Sequence, residues 1–142
     1  FLVAAAGVML MRVLYVKDQG MQRFVIVDAG MNDLIRPMLY QARHAIVPLV
    51  PREGEPKAVT LAGPVCESTD ILAKDLLLPP VEPGDVLAVL TAGAYGAAMA
   101  SNYNARMRPA EVVISEDGRH WSVSRRREEW EDLLIRDEPP PA

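Results

Sequence analysis

From Val8 to Val16 apolar and β-branched residues dominate, with Arg12 on the exposed phase, a pattern that predicts a β-strand. Lys17-Asp18-Gln19-Gly20 reads as a hairpin turn in which the glycine supplies a positive φ. Arg23 to Asp28 is the return strand. Its run Phe24-Val25-Ile26-Val27 is apolar on both faces, which predicts burial in a barrel or between layers. Ala29-Gly30 ends it, and Met31 to Arg43 is the one clear helical segment ahead of the C-terminus, with Pro37 tolerated in a first turn. His44 to Val50, Ala58 to Ala62, Ile71 to Leu78 and Val86 to Thr91 follow as strands. The third of these is irregular, because Lys74-Asp75 interrupts it. The polar loop Pro51 to Lys57 and the turn signals Pro79-Pro80 and Glu82-Pro83-Gly84-Asp85 separate them. Ala97 to Met107 is small and polar. Ala110 to Ile114 and His120 to Ser124 then flank a hairpin turn at Glu116-Asp117-Gly118, with Trp121 and Val123 predicted inward. Trp130, Leu133 and Leu134 give a predicted helix over Glu128 to Ile135 one apolar face. Arg125-Arg126-Arg127 is read as its solvated start, not as a polyanion site.

Strands punctuated by turns, with two short helices, predict a mainly β domain, a barrel or a sandwich. Its predicted extent is residues 1–136, and the proline-rich residues 137–142 are expected to form a disordered tail. A length of 142 residues suits one domain with its own core. The net charge of −4 argues against a nucleic-acid surface, which is normally basic. One cysteine excludes an internal disulfide and any cysteine-based zinc site, and no ligand spacing around the two histidines points to a metal. His44 is expected at a strand start, without chemistry. The uncharged opening run to Met11 is too short to span a bilayer and lacks the basic leader of a signal peptide, so a soluble, cytoplasmic chain with no membrane partner is expected.

Three stretches carry candidate chemistry. Gly63-Pro64-Val65-Cys66-Glu67-Ser68-Thr69-Asp70 turns out of a strand and sets the lone thiol beside carboxylates and hydroxyls, a set suited to chemistry on a strand-fixed loop. The plain alternative is a small buried hydrophobe, the commonest fate of a lone cysteine. Arg36 and Tyr40 lie four residues apart and share a helix face. They are either a surface pair or a guanidinium and a phenol aimed at a carboxylate, which the planar fork of arginine matches. Gly93-Ala94-Tyr95-Gly96 lets a backbone approach a ligand closely while the phenol reaches it, or is simply a bend in a sheet.

Taken together, Gly-Pro-x-Cys-Glu-Ser-x-Asp, the later Gly93-Ala94-Tyr95-Gly96, the stretch Phe24 to Pro37 with Tyr40 after it, and Arg108-Pro109-Ala110-Glu111-Val112 resemble the C-terminal half of the diaminopimelate decarboxylases. These are pyridoxal 5'-phosphate enzymes of the alanine racemase/ornithine decarboxylase fold type. Members are roughly three times this length, with an N-terminal (β/α)8 barrel that carries the cofactor lysine. The chain begins at Phe1 inside an apolar run, so it is expected to be an excised C-terminal β domain, inactive alone. Lys17 and Lys57 fall in polar turns and Lys74 is expected to be exposed, so none stands in a cofactor context.

The resemblance implies decarboxylation of meso-2,6-diaminopimelate to L-lysine. It makes Cys66 the proton donor or positioner near Cα. Glu67 becomes the ligand of the distal ammonium, and Arg36 with Tyr40 the ligands of the distal carboxylate. Tyr95 is placed at the bound substrate and the cofactor phosphate, in a homodimer whose Cys-Glu loop enters the opposite subunit's site. The related decarboxylases of ornithine, arginine or carboxynorspermidine are the nearest alternative, and the ornithine enzymes carry Asp where Glu67 stands. A non-catalytic β domain serving dimerisation or binding is the alternative of another class.

Overall fold

The computed structural model describes residues 2–138. The chain divides into two compact units, Phe1–Ala100 and Ser101–Ala142. The first carries β1 (Met9–Gln19), β2 (Gln22–Val27), α1 (Arg36–Tyr40), β3 (Ile46–Pro48), β4 (Lys57–Ala62), β5 (Ile71–Leu78), β6 (Val86–Val89) and α2 (Gly96–Met99). Its strands form one sheet in the order β3-β6-β1-β2-β4-β5, curled into a nearly closed barrel. The mainly β class expected from the turn-punctuated pattern is the class found.

The period-two pattern places the core. Met11 and Val13, Val25 and Val27, Val59 and Leu61, and Leu87 and Val89 are buried pairs two residues apart on adjacent strands. Ala29, Leu34, Ile46, Leu72 and Leu78 complete the same cluster. Truncating any of these buried side chains would leave a cavity as well as lose its transfer free energy.

Strand direction, more than strand order, decides where the loops emerge. Strand β1 is antiparallel to both β2 and β6, and β2 is parallel to β4. Strands β2, β4 and β6 therefore point the same way, and the segments that come after them leave from one end of the sheet.

Several elements differ from expectation, each for a local reason. The first turn is Gly20-Met21, because Lys17 and Asp18 stay in the ladder opposite Phe24 and Arg23, where Asp18 and Arg23 form a 3.1 Å ion pair. Gly20 does take the expected positive φ, +61°. Helix α1 is five residues, not thirteen. The Asp33 carboxylate accepts from the Gly30 N–H at 2.9 Å and Gly30 O accepts from the Asp33 and Leu34 N–H groups, so a closed turn stands where the helix was expected to begin. Pro37 keeps its place in the first turn, and Gln41 ends the helix in the left-handed region at φ 54°. Strands β3 and β6 are shorter than expected, and a single helical turn, α2, stands within the small, polar stretch.

The second unit holds the antiparallel hairpin β7 (Glu111–Ile114) and β8 (Trp121–Arg125), and α3 (Trp130–Leu133). Trp121 and Val123 were expected inward but are 72% and 52% exposed, since a two-stranded hairpin has no second layer of its own. Helix α3 is one turn, begun by a capping box between Glu129 and Asp132, and Trp130 is exposed. The arginine run is engaged by local carboxylates: Arg125 pairs with Glu111, and Arg126 binds Asp132 through both nitrogens. Of the expected tail 137–142, residues 139–142 lie outside the described residues.

Glu128 ties the second unit together. Its carboxylate accepts from the Arg108 N–H at 2.8 Å, from the Arg108 guanidinium at 2.7 Å and from the Asn102 amide. The Arg108 hydrogen bond, first among these, holds the Glu128 carboxyl at about 2 against an ordinary 4.5. A pKa depressed on folding adds stability above the unfolded value and loses it as pH falls towards the folded one. Glu128→Gln should therefore destabilise this unit at neutral pH by about 1–3 kcal/mol, a charged hydrogen-bond partner being lost. The gap should shrink below about 4.5 and close near 2. Thermal unfolding followed by tryptophan fluorescence measures it, and a gap that ignores pH would contradict this account.

Candidate functional site

The segments that leave the co-directional ends of β2, β4 and β6 are the three stretches singled out for chemistry. After β2 come the Gly30–Leu34 turn and then Arg36 and Tyr40 on α1. After β4 comes the Cys66 loop, and after β6 the Tyr95 bend. All five candidate side chains thus belong to one end of one sheet.

Asp70 joins the first two segments. It is 2% exposed, and its oxygens accept from the Met31 N–H at 2.7 Å and the Val65 N–H at 2.8 Å. Its backbone closes the loop around it, with Gly63 N–H donating to Asp70 O at 2.9 Å and Asp70 N–H donating to Glu67 O at 3.1 Å. Gly63 is required for this approach, because a Cβ there would stand 2.2 Å from Asp70 Oδ2. The loop that results pushes Cys66 and Glu67 outward, both exposed, with the Glu67 carboxylate accepting from the Thr69 hydroxyl. The reading of Cys66 as a buried hydrophobe is therefore overturned: the neighbouring Val65 takes the buried position.

Arg36 opens α1, half-buried, and Tyr40 closes it, 61% exposed. Tyr95 stands in the left-handed region at φ 69°, 57% exposed, and the Arg36 guanidinium lies 5.5 Å from its ring centroid. That is a cation–π contact between two of the predicted site residues. Gly93 is needed by a close approach within the protein, since a Cβ there would stand 2.1 Å from Val3 O. The Gly93 N–H also donates to Ala4 O at 3.1 Å.

Asp70 was part of the quoted motif but had no assigned role, and Asp33 had none either. The signal for Asp33 was local, an Asp three residues after a glycine at a strand end. Asp70 had a fainter one, a glycine at the far end of its own loop. The three lysines, Lys17, Lys57 and Lys74, are all exposed, on β1, β4 and β5. A groove lined by Val16, Arg23, Lys57, Leu78 and Pro80 opens at the opposite end of the strands, away from Arg36, Tyr40, Cys66, Glu67 and Tyr95. Among the described residues no group of three or more His, Cys, Asp or Glu side chains could hold a metal ion, and no helix is long and apolar enough to cross a membrane.

Comparison with known proteins agrees with this architecture. The chain is 52% identical over 132 residues to the diaminopimelate decarboxylase of Pseudomonas aeruginosa, covering 93% of this chain and 31% of that protein. The crystal structure of diaminopimelate decarboxylase from M. jannaschii in co-complex with L-lysine superposes with a TM-score of 0.91 at 44% identity, over 99% of this chain and 32% of the other. Lysine/ornithine decarboxylase from Vibrio vulnificus, complexed with cadaverine, is more distant. It gives a TM-score of 0.66 at 28% identity, over 72% of this chain and 28% of its own. The chain spans about a third of the length of the relatives it matches. The family model described as pyridoxal-dependent decarboxylase, C-terminal sheet domain, matches residues 1–93, which hold the whole barrel-like sheet and all but Tyr95 of the candidate residues. The chain belongs to that family, as its C-terminal sheet domain.

Proposed function

We propose that residues 1–136 serve as the C-terminal β domain of a diaminopimelate decarboxylase, which removes CO2 from meso-2,6-diaminopimelate to give L-lysine. The observation that carries this reading is the convergence of Arg36, Tyr40, Cys66, Glu67 and Tyr95 at the co-directional ends of β2, β4 and β6. The direct test is release of CO2 and L-lysine from diaminopimelate by the full-length enzyme. No turnover by a folded, cofactor-loaded enzyme would refute it.

The residues fit one end of pyridoxal phosphate. The exposed phenol of Tyr95 presents a hydroxyl donor to a phosphate, while Arg36, over its ring, is left for the substrate's distal carboxylate. None of the three lysines lies on the three loops, so the lysine that holds the cofactor belongs to the rest of the full-length protein. The isolated domain is accordingly inactive. Bound beside Tyr95, pyridoxal phosphate supplies the electron sink for the pair left when CO2 departs.

The chain's own residues do the rest. Arg36 and Tyr40 hold the distal carboxylate, the arginine through a fork that matches its two oxygens. Glu67 pairs with the distal ammonium, its reach limited by the Thr69 hydroxyl that holds it. Cys66, exposed at the tip of its loop, delivers or positions the proton that replaces the lost carboxylate at Cα. The pairing of Cys66-Glu67 with an arginine at position 36 favours diaminopimelate over ornithine, which has no distal carboxylate to meet Arg36. The loop acts in the site of a second subunit, so the enzyme works as a homodimer with shared sites, soluble in the cytoplasm.

In the full-length enzyme, Arg36→Ala should lower kcat/KM for diaminopimelate far more than for a substrate with no distal carboxylate. Losing a charge-assisted contact from a desolvated site costs about 2–5 kcal/mol, roughly 30-fold or more. Equal losses on both substrates would make Arg36 structural.

Shared sites predict complementation. A subunit lacking the cofactor lysine and a subunit carrying Cys66→Ala are each nearly inactive alone. Random re-pairing makes about half the dimers mixed, and one site in each mixed dimer is intact, so activity should recover to roughly a quarter of the parent. No recovery after verified subunit exchange would mean that the loop serves its own subunit.

A further inference from the structure

We propose that Asp70 is a positioning residue for the reaction: its buried carboxylate sets where the Cys66-Glu67 loop stands relative to the turn that leads into Arg36. The inference rests on the decarboxylase reading and adds to it a residue that touches neither substrate nor cofactor.

Three observations carry it. Asp70 is 2% exposed, so it acts through its neighbours. Its two oxygens take N–H groups from two different segments, Met31 at 2.7 Å on the way to α1 and Val65 at 2.8 Å, one residue before Cys66. The space around it admits nothing larger, since a Cβ would come within 2.2 Å of Oδ2 at Gly63 and within 2.9 Å at Gly30. A flexible surface loop needs no such cradle.

The two segments depend on Asp70 unequally. The Gly30–Leu34 turn is also closed by Asp33, whose carboxylate accepts from the Gly30 N–H at 2.9 Å. In the Cys66 loop the Asp70 carboxylate holds the Val65 N–H, next to Cys66, while the bonds of Gly63 and Glu67 to the Asp70 backbone stay with any residue at position 70. Loss of the carboxylate should therefore displace Cys66 and Glu67 while leaving Arg36 and Tyr40 nearly in place. In kinetic terms the chemical step suffers and recognition of the distal carboxylate is largely kept.

The test uses the full-length, cofactor-loaded enzyme. In Asp70→Asn the amide keeps one oxygen but turns an NH2 towards the other backbone N–H, so one of the two ties is lost whichever way it lies. The expected result is a fall in kcat of about tenfold or more, with KM for diaminopimelate raised only several-fold as Glu67 loosens its hold on the distal ammonium. In a Cys66→Ala background the same substitution should cost several-fold less, because the group it misplaces is already gone. Gly30→Ala is the milder variant: its methyl presses on the same carboxylate and on Pro64 and Val65 at about 3 Å. It should fold like the parent, show the same split between kcat and KM on a smaller scale, and carry the test alone if Asp70→Asn does not fold. A parental kcat in the folded variants, or an equal loss with and without Cys66, overturns the inference. A parent enzyme that leaves diaminopimelate untouched sinks the decarboxylase reading instead, and that is seen before any variant is made.

Discussion

One carboxylate sits where backbone amides from two loops meet, and it ties together the end of the sheet that carries the candidate residues. Burying an ionisable group is costly unless its oxygens are hydrogen-bonded. Asp70 meets that condition with the Met31 and Val65 N–H groups, in a space so close that a Cβ at Gly63 would stand 2.2 Å from its Oδ2. The arrangement makes a loop behave like part of the sheet. Cys66 and Glu67 are then exposed on a loop that is anchored beside them.

That contact in turn requires the topology. Met31 and Val65 approach one another because β2 and β4 run parallel and adjacent, Phe24 opposite Thr60 and Ile26 opposite Ala62. A parallel neighbour cannot be reached by a tight hairpin, so the chain must cross over, and α1 and β3 lie in that crossover. The helix bearing Arg36 and Tyr40 is thus a product of the connection the sheet demands. Strand β6, two places away and pointing the same way, brings Tyr95 to the same end.

How much could be read from the sequence depends on the range of the interactions. Strands with buried pairs two residues apart, such as Met11 and Val13 or Val59 and Leu61, announce themselves by their period. The irregularity of β5 was legible in Lys74-Asp75, and Asp75 indeed takes a positive φ of 52°. The length of α1 was overstated because the Asp33 side chain takes a local backbone bond at its start and Gln41 turns left-handed at its end, and a helical pattern shows neither. Trp121 and Val123 alternate as an inward face would, yet alternation specifies a face and not what covers it. The role of Asp70 was not legible because the amide it binds at Met31 is 39 residues away, and no local pattern encodes that pairing.

Tyr95 combines a strained backbone with a contact to Arg36. A non-glycine residue at φ 69° carries a cost of about 1–2 kcal/mol, sustained only where the surroundings over-determine the conformation. Gly93, two residues before it, is fixed by its close approach to Val3 and its bond to Ala4, and the Tyr95 carbonyl accepts from the Met99 N–H at 3.1 Å as α2 begins. The ring is thereby held under the Arg36 guanidinium. On the proposed reading Tyr95 faces the cofactor phosphate and Arg36 the distal carboxylate of the substrate, so the two ends of the ligand assembly are read by side chains in contact. Groups in contact do not act additively. The cofactor and the substrate-selecting arginine are then linked through one aromatic ring, whose position is set by backbone packing on the far side of the bend.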